Sequence, residues 1–270
     1  MLTQVHPQVP TIPNRPPATP IRVRVGLLGH GRAGQAVAQA LLADDLIDLR
    51  WVARRHLPPD SLDHLPGTQV PVIATGGDAL DELISHRPID ALVDFSSADS
   101  AAHYLDAVHR HRLMLVSAVS SYAPQQLAAI RALADTCRVM CSPNITVGIN
   151  FLIVAARLLR TIAPQADIEI IEQHFRDKPE VSGTARRMAR TLDLDEARIT
   201  SLRLGGIVGH HEVVFGFPHQ TVRLTHDSIR REAFGTGAAF ALRELRQREA
   251  GFYTMEELIA GVMRGQLLAA

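Results

Sequence analysis

The sequence predicts an α/β fold: a doubly wound parallel sheet in the N-terminal half, then an α+β region with a largely antiparallel sheet. Three observations carry this. Between Val23 and Cys141 short apolar runs alternate with helical stretches, the rhythm of a parallel sheet covered on both faces. A glycine-rich turn joins the first apolar run to the first helical stretch. After Asn144 the alternation gives way to one long helical stretch followed by period-two strands.

Taken in order, residues 1–20 hold six of the 16 prolines and no periodic apolar pattern. Such a segment lacks both backbone donors and a face to bury, so a disordered arm is expected. The first strand follows with Val23, Val25, Leu27 and Leu28, and a helix from Arg32 to Leu42. Further strands are expected at Leu49–Ala53, Pro71–Ala74, Ala91–Phe95, Leu113–Val116 and Arg138–Cys141. Helices are expected between them at Asp78–Ile84, Ala98–His109 and Pro124–Ala134.

In the second half a helix from Gly148 to Thr161 leads into an alternating strand around Ile168–Ile171, then a glycine-bearing loop and a helix from Thr184 to Leu192. Residues 200–228 read as consecutive strands, two of them joined at Pro218-His219 with hairpin spacing. Antiparallel pairing is expected there. Two terminal helices, Ala233–Gln247 and Met255–Val262, are expected to pack back on the first domain. The domains are drawn as 21–146, completed by 235–270, and 147–234.

Gly29-His30-Gly31-Arg32-Ala33-Gly34 is a G-x-G-x-x-G placed directly after a strand and at the start of a helix. The first glycine permits the tight turn, the second lets backbone approach a pyrophosphate, and the third lets helix and strand pack closely. The helix N-terminus adds free amides and a favourable dipole. The N-terminal half therefore reads as a Rossmann-type dinucleotide-binding domain. Twenty residues beyond Gly34, where NAD enzymes place a carboxylate for the ribose 2′-hydroxyl, this chain has Arg54-Arg55. A guanidinium pairs with a 2′-phosphate, so NADPH is favoured, with NADH possible.

Composition narrows the partners. The 28 basic residues balance the 28 acidic ones, leaving no overall field toward nucleic acid or membrane. No apolar run approaches the ~20 residues of a membrane span, and no secretory signal pattern stands at the N-terminus, so a cytoplasmic location is expected. Cys137 and Cys141 are too few for a disulfide framework and read as structural thiols. The pairs His109/His111 and His210/His211 invite a metal reading, but neighbours on a strand point to opposite faces, and no metal site is expected.

The run Glu169-Ile170-Ile171-Glu172-Gln173-His174-Phe175-Arg176-Asp177-Lys178, followed by Ser182-Gly183-Thr184-Ala185, resembles the substrate domain of the dihydrodipicolinate reductase family. So, in the same order, do Ser142-Pro143-Asn144 with Gly148-Ile149-Asn150, the run from Gly206 to Phe215, Leu224-Thr225-His226, and Arg231 three before Phe234. The resemblance implies hydride transfer from a nicotinamide cofactor to a conjugated cyclic imine, within the diaminopimelate and lysine pathway. It implies His174 as proton donor or electrostatic stabiliser and Lys178 as the ammonium beside the substrate. Ser182, Gly183 and Thr184 would receive a substrate carboxylate. Asn144, Ser142, Phe95, Ser117 and Val119 would line the nicotinamide end, and the assembly would be a homotetramer built through the antiparallel sheet.

Physical reading of the same residues agrees: His174 ends an alternating strand, Lys178 sits in a polar loop, and Ser182-Gly183-Thr184 precedes a helix whose free amides can hold a carboxylate. Singly, each has an ordinary explanation as a surface histidine, a solvated lysine or a helix cap. The departures from the family pattern are local. Phe175 stands where the family has a second histidine, Glu180-Val181 shortens the loop before Ser182, and Ser117-Ala118-Val119-Ser120 replaces a Gly-Thr-Thr-Gly segment. The glycine turn is also one residue shorter than the family's. Three readings stay open: a reductase of this family's own substrate, a reductase of another cyclic imine or enamine acid, and a non-catalytic NADPH-binding regulator.

Overall fold

The computed structural model describes residues 22–56, 63–75 and 79–269, so the N-terminal arm lies outside the described residues. The first half alternates as its apolar rhythm requires: β1 (Val23–Leu28), α1 (Arg32–Leu42), β2 (Ile47–Arg54), β3 (Val72–Ala74), α2 (Ala79–His86), β4 (Ala91–Asp94), α3 (Ala101–His111), β5 (Met114–Ser117), α4 (Pro124–Ala132) and β6 (Arg138–Cys141). The second half holds α5 (Val147–Ile162), β7 (Asp167–His174), α6 (Gly183–Thr191), β8 (Ile199–Arg203), β9 (His210–Phe217), β10 (Gln220–Asp227), α7 (Glu232–Arg246), β11 (Gly251–Tyr253) and α8 (Met255–Ala269).

β1 to β6 and β11 form a seven-stranded parallel sheet in the order β11-β6-β5-β4-β1-β2-β3. The order reverses direction at β1, and the crevice outside the carboxyl ends of β1 and β4 is where an open α/β sheet holds its ligand. Apolar side chains bury both faces. Val25, Leu27, Val93 and Val116 pack with α1 and with Ala238, Leu242, Leu245, Met255 and Leu258 of α7 and α8. Trp51, Leu92, Tyr104 and Leu115 pack with α2 and α3 on the other face. The terminal helices thus complete the core of the first sheet, and an Arg243–Asp44 ion pair fixes α7 beside the end of α1.

The second sheet runs β10-β9-β7-β8. β9 and β10 form the expected hairpin, Phe217 opposite Gln220, and β9 pairs antiparallel with β7. β8 pairs with β7 in parallel, which makes the sheet mixed. The reason is α6, which lies between the two strands in sequence and forms the crossover that parallel neighbours need. One face of this sheet, including Ile168, Ile170, Val213 and Phe215, is buried against Ile149, Leu152 and Ile153 of α5 and Met188 of α6. β11, three residues on the sheet edge beside β6, was not marked by any apolar alternation in the sequence.

Candidate active site

At the carboxyl edge of the first sheet, the glycine turn has the geometry a dinucleotide needs. Gly29 has φ of +96°, and a side chain there would meet the Phe95 carbonyl at 2.5 Å. A side chain at Gly34 would meet the Gly29 carbonyl at 2.0 Å, so strand and helix approach as closely as the motif requires. Gly31, the residue before α1, has open space where its side chain would be, and no side chain caps the helix. The amides of the first turn, which includes Arg32, Ala33 and Gly34, are thereby left to a phosphate, and the residues present fit a dinucleotide cofactor.

Beside the turn lies a cavity of about 390 Å³ lined by Leu28, Gly29, Ala53, Arg54, Arg55 and Tyr104, with Ser96, Ser97, Ser100 and His103 on the wall facing the two arginines. Arg55 donates to Ser97 Oγ at 3.3 Å. His30 adjoins the turn, and burial first, then the Arg54 charge, lowers its pKa.

Phe95, Ser117 and Ser142 end or follow the neighbouring strands β4, β5 and β6, so the sheet brings them to one edge. Phe95 lies 6.4 Å, ring to ring, from Phe234 of α7. Ser142 donates its hydroxyl to the Asn144 carbonyl at 2.7 Å, and Asn144 Nδ2 donates to Thr184 Oγ1 at 3.3 Å. That last bond links the carboxyl edge of the first sheet to α6. Val119 is buried and its amide points to Ser117 Oγ at 3.5 Å.

The second sheet gathers the other expected residues. His174 ends β7 with 9% of its surface exposed, and its Nδ1 pairs with Glu172 Oε2. The other Glu172 oxygen accepts from Arg203 Nη2 at 2.8 Å and from the Ser182 amide at 3.3 Å. Burial alone would raise the Glu172 carboxyl, but hydrogen bonds from Arg203, Ser201, His174 and Ser182 outweigh it and bring the pKa down to about 2. Ser182 caps α6, its Oγ accepting the Thr184 amide at 3.2 Å and lying 2.9 Å from His211 Nε2. Gly183 is exposed at the start of α6, where a helix N-terminus can receive a carboxylate.

The His174 and His211 rings meet edge to face at 5.3 Å. Burial lowers the His174 pKa, Glu172 opposes this, and the nearby Lys178 and Arg203 charges add to the lowering. Burial, followed by the His174 charge, depresses His211 to about 3. Lys178 lies four residues beyond His174; its amide donates to the Phe175 carbonyl at 3.1 Å, and its carbonyl accepts from Arg203 at 3.0 Å. Its ammonium makes no ion pair among the described residues.

Glu172, Arg203 and His211 were given no catalytic role by the sequence pattern, His211 being weighed only as a metal ligand; Arg203 on β8 reaches Glu172 on β7, and His211 on β9 reaches Ser182 before α6. One signal in the sequence could have sharpened the reading: Lys178 is the only lysine in the chain, every other basic side chain of that class being arginine. A chain that otherwise uses arginine keeps an ammonium at this one position, where a compact point charge differs from a planar fork. A second group missed in the sequence lies under the cofactor edge. Asp94, fully buried, accepts from the Ser96 amide at 2.9 Å, from the Ser96 hydroxyl, and from Tyr122 at 2.9 Å. Burial raises its pKa against the pull of those hydrogen bonds.

Among the described residues no group of three or more His, Cys, Asp or Glu is placed to hold a metal ion, and no helix is long and apolar enough to cross a membrane. Residues 23–145 match the model for the dihydrodipicolinate reductase N-terminus, and residues 145–259 the model for its C-terminus. A 4-hydroxy-tetrahydrodipicolinate reductase of Myxococcus xanthus is 30% identical over 257 residues, covering 85% of this chain and 94% of that protein. One from Oleidesulfovibrio alaskensis is 30% identical, covering 85% and 96%. The dipicolinate-bound dihydrodipicolinate reductase of Paenisporosarcina sp. TG-14 shares the fold, with a TM-score of 0.74 at 23% identity, over 87% of this chain and 98% of that one. With both halves matched in order and relatives alike over most of their length, the chain belongs to the dihydrodipicolinate reductase family.

Proposed function

We propose that the chain is an NADPH-dependent reductase that reduces a cyclic unsaturated imine carboxylate of the dihydrodipicolinate type. The observation that carries this reading is the joined arrangement of His174, Glu172, Arg203, Ser182 and His211, with the sole lysine four residues from His174 and the glycine turn at the carboxyl edge of the first sheet.

A reduced nicotinamide supplies hydride when bound. Hydride on the ring carbon sends the electrons of one C=C bond through the conjugated system toward the ring nitrogen, and one proton completes the reduction. His174 is read as the group that supplies or stabilises that proton: Glu172 orients the ring through Nδ1, leaving Nε2 for the substrate. Lys178 would place its ammonium where negative charge develops. Ser182, Gly183 and Thr184 would hold a carboxylate at the N-terminus of α6, and Asn144, tied to Thr184, would sit between substrate and cofactor. Gly29 to Gly34 would hold the pyrophosphate, Arg54 and Arg55 the 2′-phosphate, and Phe95, Ser117, Val119 and Ser142 the nicotinamide end.

A second reading, a related substrate with one polar anchor fewer, is favoured by Phe175, which stands 45% exposed directly after His174 and offers an apolar wall. We further read 21–146 with 235–270 as the cofactor domain and 147–234 as the substrate and assembly domain. The face of the second sheet opposite α5 and α6 fits assembly into a homotetramer, and a cytoplasmic location fits the chemistry. Oxidation of NADPH with the cyclic dicarboxylate, followed at 340 nm beside the same assay with monocarboxylate cyclic imines, tests the reading. Turnover with none of them overturns it.

A further inference from the structure

The Tyr122 hydroxyl is the centre of a hydrogen-bonded cluster of which the mechanism above uses only Ser117. It donates to Asp94 Oδ2 at 2.9 Å and lies 2.7 Å from Ser117 Oγ and 2.9 Å from the Tyr104 hydroxyl. Asp94, Ser117 and Tyr104 are each fully buried.

The proton inventory gives the cluster a direction. A tyrosine has one proton to donate, and this one goes to the Asp94 carboxylate. Ser117 then donates to the Tyr122 oxygen, and the Tyr104 hydroxyl, which reaches both, donates to Tyr122 or to Asp94. Ser117 Oγ in turn faces the Val119 amide at 3.5 Å. Donation therefore runs from the Val119 amide through Ser117 and Tyr122 to Asp94, and Ser96 adds two more donors to the same carboxylate. Among the described residues no basic side chain forms an ion pair with Asp94, and these hydrogen bonds are what opposes its burial.

The cluster spans the segments that leave two neighbouring strands at the carboxyl edge: the loop after β4 with the α3 helix that follows it, and the loop after β5. Backbone bonds extend it, with the Ala118 amide on the Asp94 carbonyl and the Ser142 amide on the Ser117 carbonyl, both at 3.0 Å. Ser142 and Asn144 carry it on to Thr184. A loop of small residues, Ser117-Ala118-Val119-Ser120-Ser121, would otherwise be held by few side-chain contacts.

We propose that Tyr122 is a positioning residue: anchored on Asp94 and bonded to Ser117, it fixes the 117–122 loop in the conformation that seats the nicotinamide ring. This rests on the cofactor reading given above. Arg54 and Arg55 follow β2, on the opposite side of β4 from this loop, and of the cluster only Tyr104 and Ser96 line the cavity beside them.

The test uses the full chain and NADPH alone. Tyr122→Phe keeps the ring and removes the hydroxyl, and Ser117→Ala removes the neighbouring link. NADPH affinity is measured by calorimetry, and the environment of the nicotinamide by its fluorescence enhancement and lifetime on binding. In Tyr122→Phe affinity stays near that of the unaltered protein, and in both variants the nicotinamide signal falls toward that of free cofactor. The double variant is no worse than Tyr122→Phe, because both changes cut one chain of bonds. Nicotinamide emission unchanged in Tyr122→Phe, with a lowered thermal midpoint, would make the cluster structural only and overturn the proposal. Should Tyr122→Phe fail to fold, an unchanged signal in Ser117→Ala overturns it in the same way. Absence of NADPH binding by the unaltered protein would overturn the cofactor reading and the proposal together, a result distinct from loss of the positioning effect alone.

Discussion

His174 and Glu172, two residues apart on β7, point to the same face of the sheet and are hydrogen-bonded through Nδ1 and Oε2 in a buried setting. The carboxylate fixes the imidazole orientation and favours its protonated form. Glu172→Gln removes that support, so the His174 pKa falls further. If the protonated ring serves the reaction, activity is lost as pH rises through that pKa, and the variant loses it at lower pH. We expect kcat down by at least about tenfold and the basic limb of the kcat/KM profile moved downward. A profile with the unaltered limb would separate His174 from the rate-determining protonation.

Lys178 is the sole lysine, and its ammonium is not tied to a carboxylate among the described residues. Lys178→Ala should lower turnover by about 10²-fold or more while NADPH affinity stays near the unaltered value. Lys178→Arg should not restore it, since a guanidinium is larger, planar and unable to give up its proton. Restoration by arginine would reduce the role to charge alone.

Several groups, His30, His174, His226 and Asp90 among them, have folded-state pKa values below their unfolded ones, and two lie far down: His211 at about 3 and Glu172 at about 2. For each, the unfolded chain binds more protons over the intervening range, so the contribution to stability is present above the unfolded pKa and lost as pH falls. His211 loses its contribution from about pH 6.5 downward and Glu172 from about pH 4.5 downward. Thermal midpoints should therefore fall from pH 7 to pH 4, and His211→Asn should flatten the upper part of that fall. A variant as pH-sensitive as the unaltered protein between pH 7 and pH 5 would contradict the assignment to His211.

Much of this was legible in the sequence because the relevant signals are local. The strand-glycine-helix turn, the alternation of β1 to β6, the Pro218-His219 hairpin and the order of His174, Lys178 and Ser182-Gly183-Thr184 each lie within a few residues. What was not legible depends on partners distant in the chain. Arg203 reaches Glu172 across 31 residues and His211 reaches Ser182 across 29, and neither link has a spacing signature. The parallel β7–β8 pair was hidden because antiparallel pairing was expected for the consecutive strands of residues 200–228, although a helix was expected, and stands, between β7 and β8. β11 is too short to announce itself, and Asp94 looked like one more strand-end residue until Tyr122 was seen against it.

Cofactor choice is assigned to the two arginines after β2, which line the cavity beside the glycine turn. Charge-assisted hydrogen bonds of this kind are worth roughly 1.5–3 kcal/mol each, so NADPH should bind about tenfold or more tightly than NADH. Arg54→Asp should reverse the order. Equal affinities in titrations of the two cofactors would remove the 2′-phosphate from the account.

The departures around Ser117-Ala118-Val119-Ser120 and Phe175 leave Ser182-Gly183-Thr184, read above as one carboxylate cradle, unaltered, and move the two hydroxyls of the other segment from its middle to its ends while removing both glycines. The dicarboxylate should then be reduced less efficiently than a cyclic imine with one anchor fewer, by a factor of about 10 to 100. Steady-state kinetics on both substrates decide this, and an efficiency on the dicarboxylate of about 10⁴ M⁻¹s⁻¹ or above would make the substitutions neutral.

The most direct test of the account is stoichiometric: purified protein, NADPH and a cyclic unsaturated imine carboxylate of the dihydrodipicolinate type, with cofactor oxidation and ring reduction followed together in the unaltered chain and in Lys178→Ala. The account predicts one NADPH oxidised per ring reduced, with the reaction lost in the variant although NADPH still binds. NADPH that binds to the unaltered chain yet is oxidised with no such substrate would contradict it.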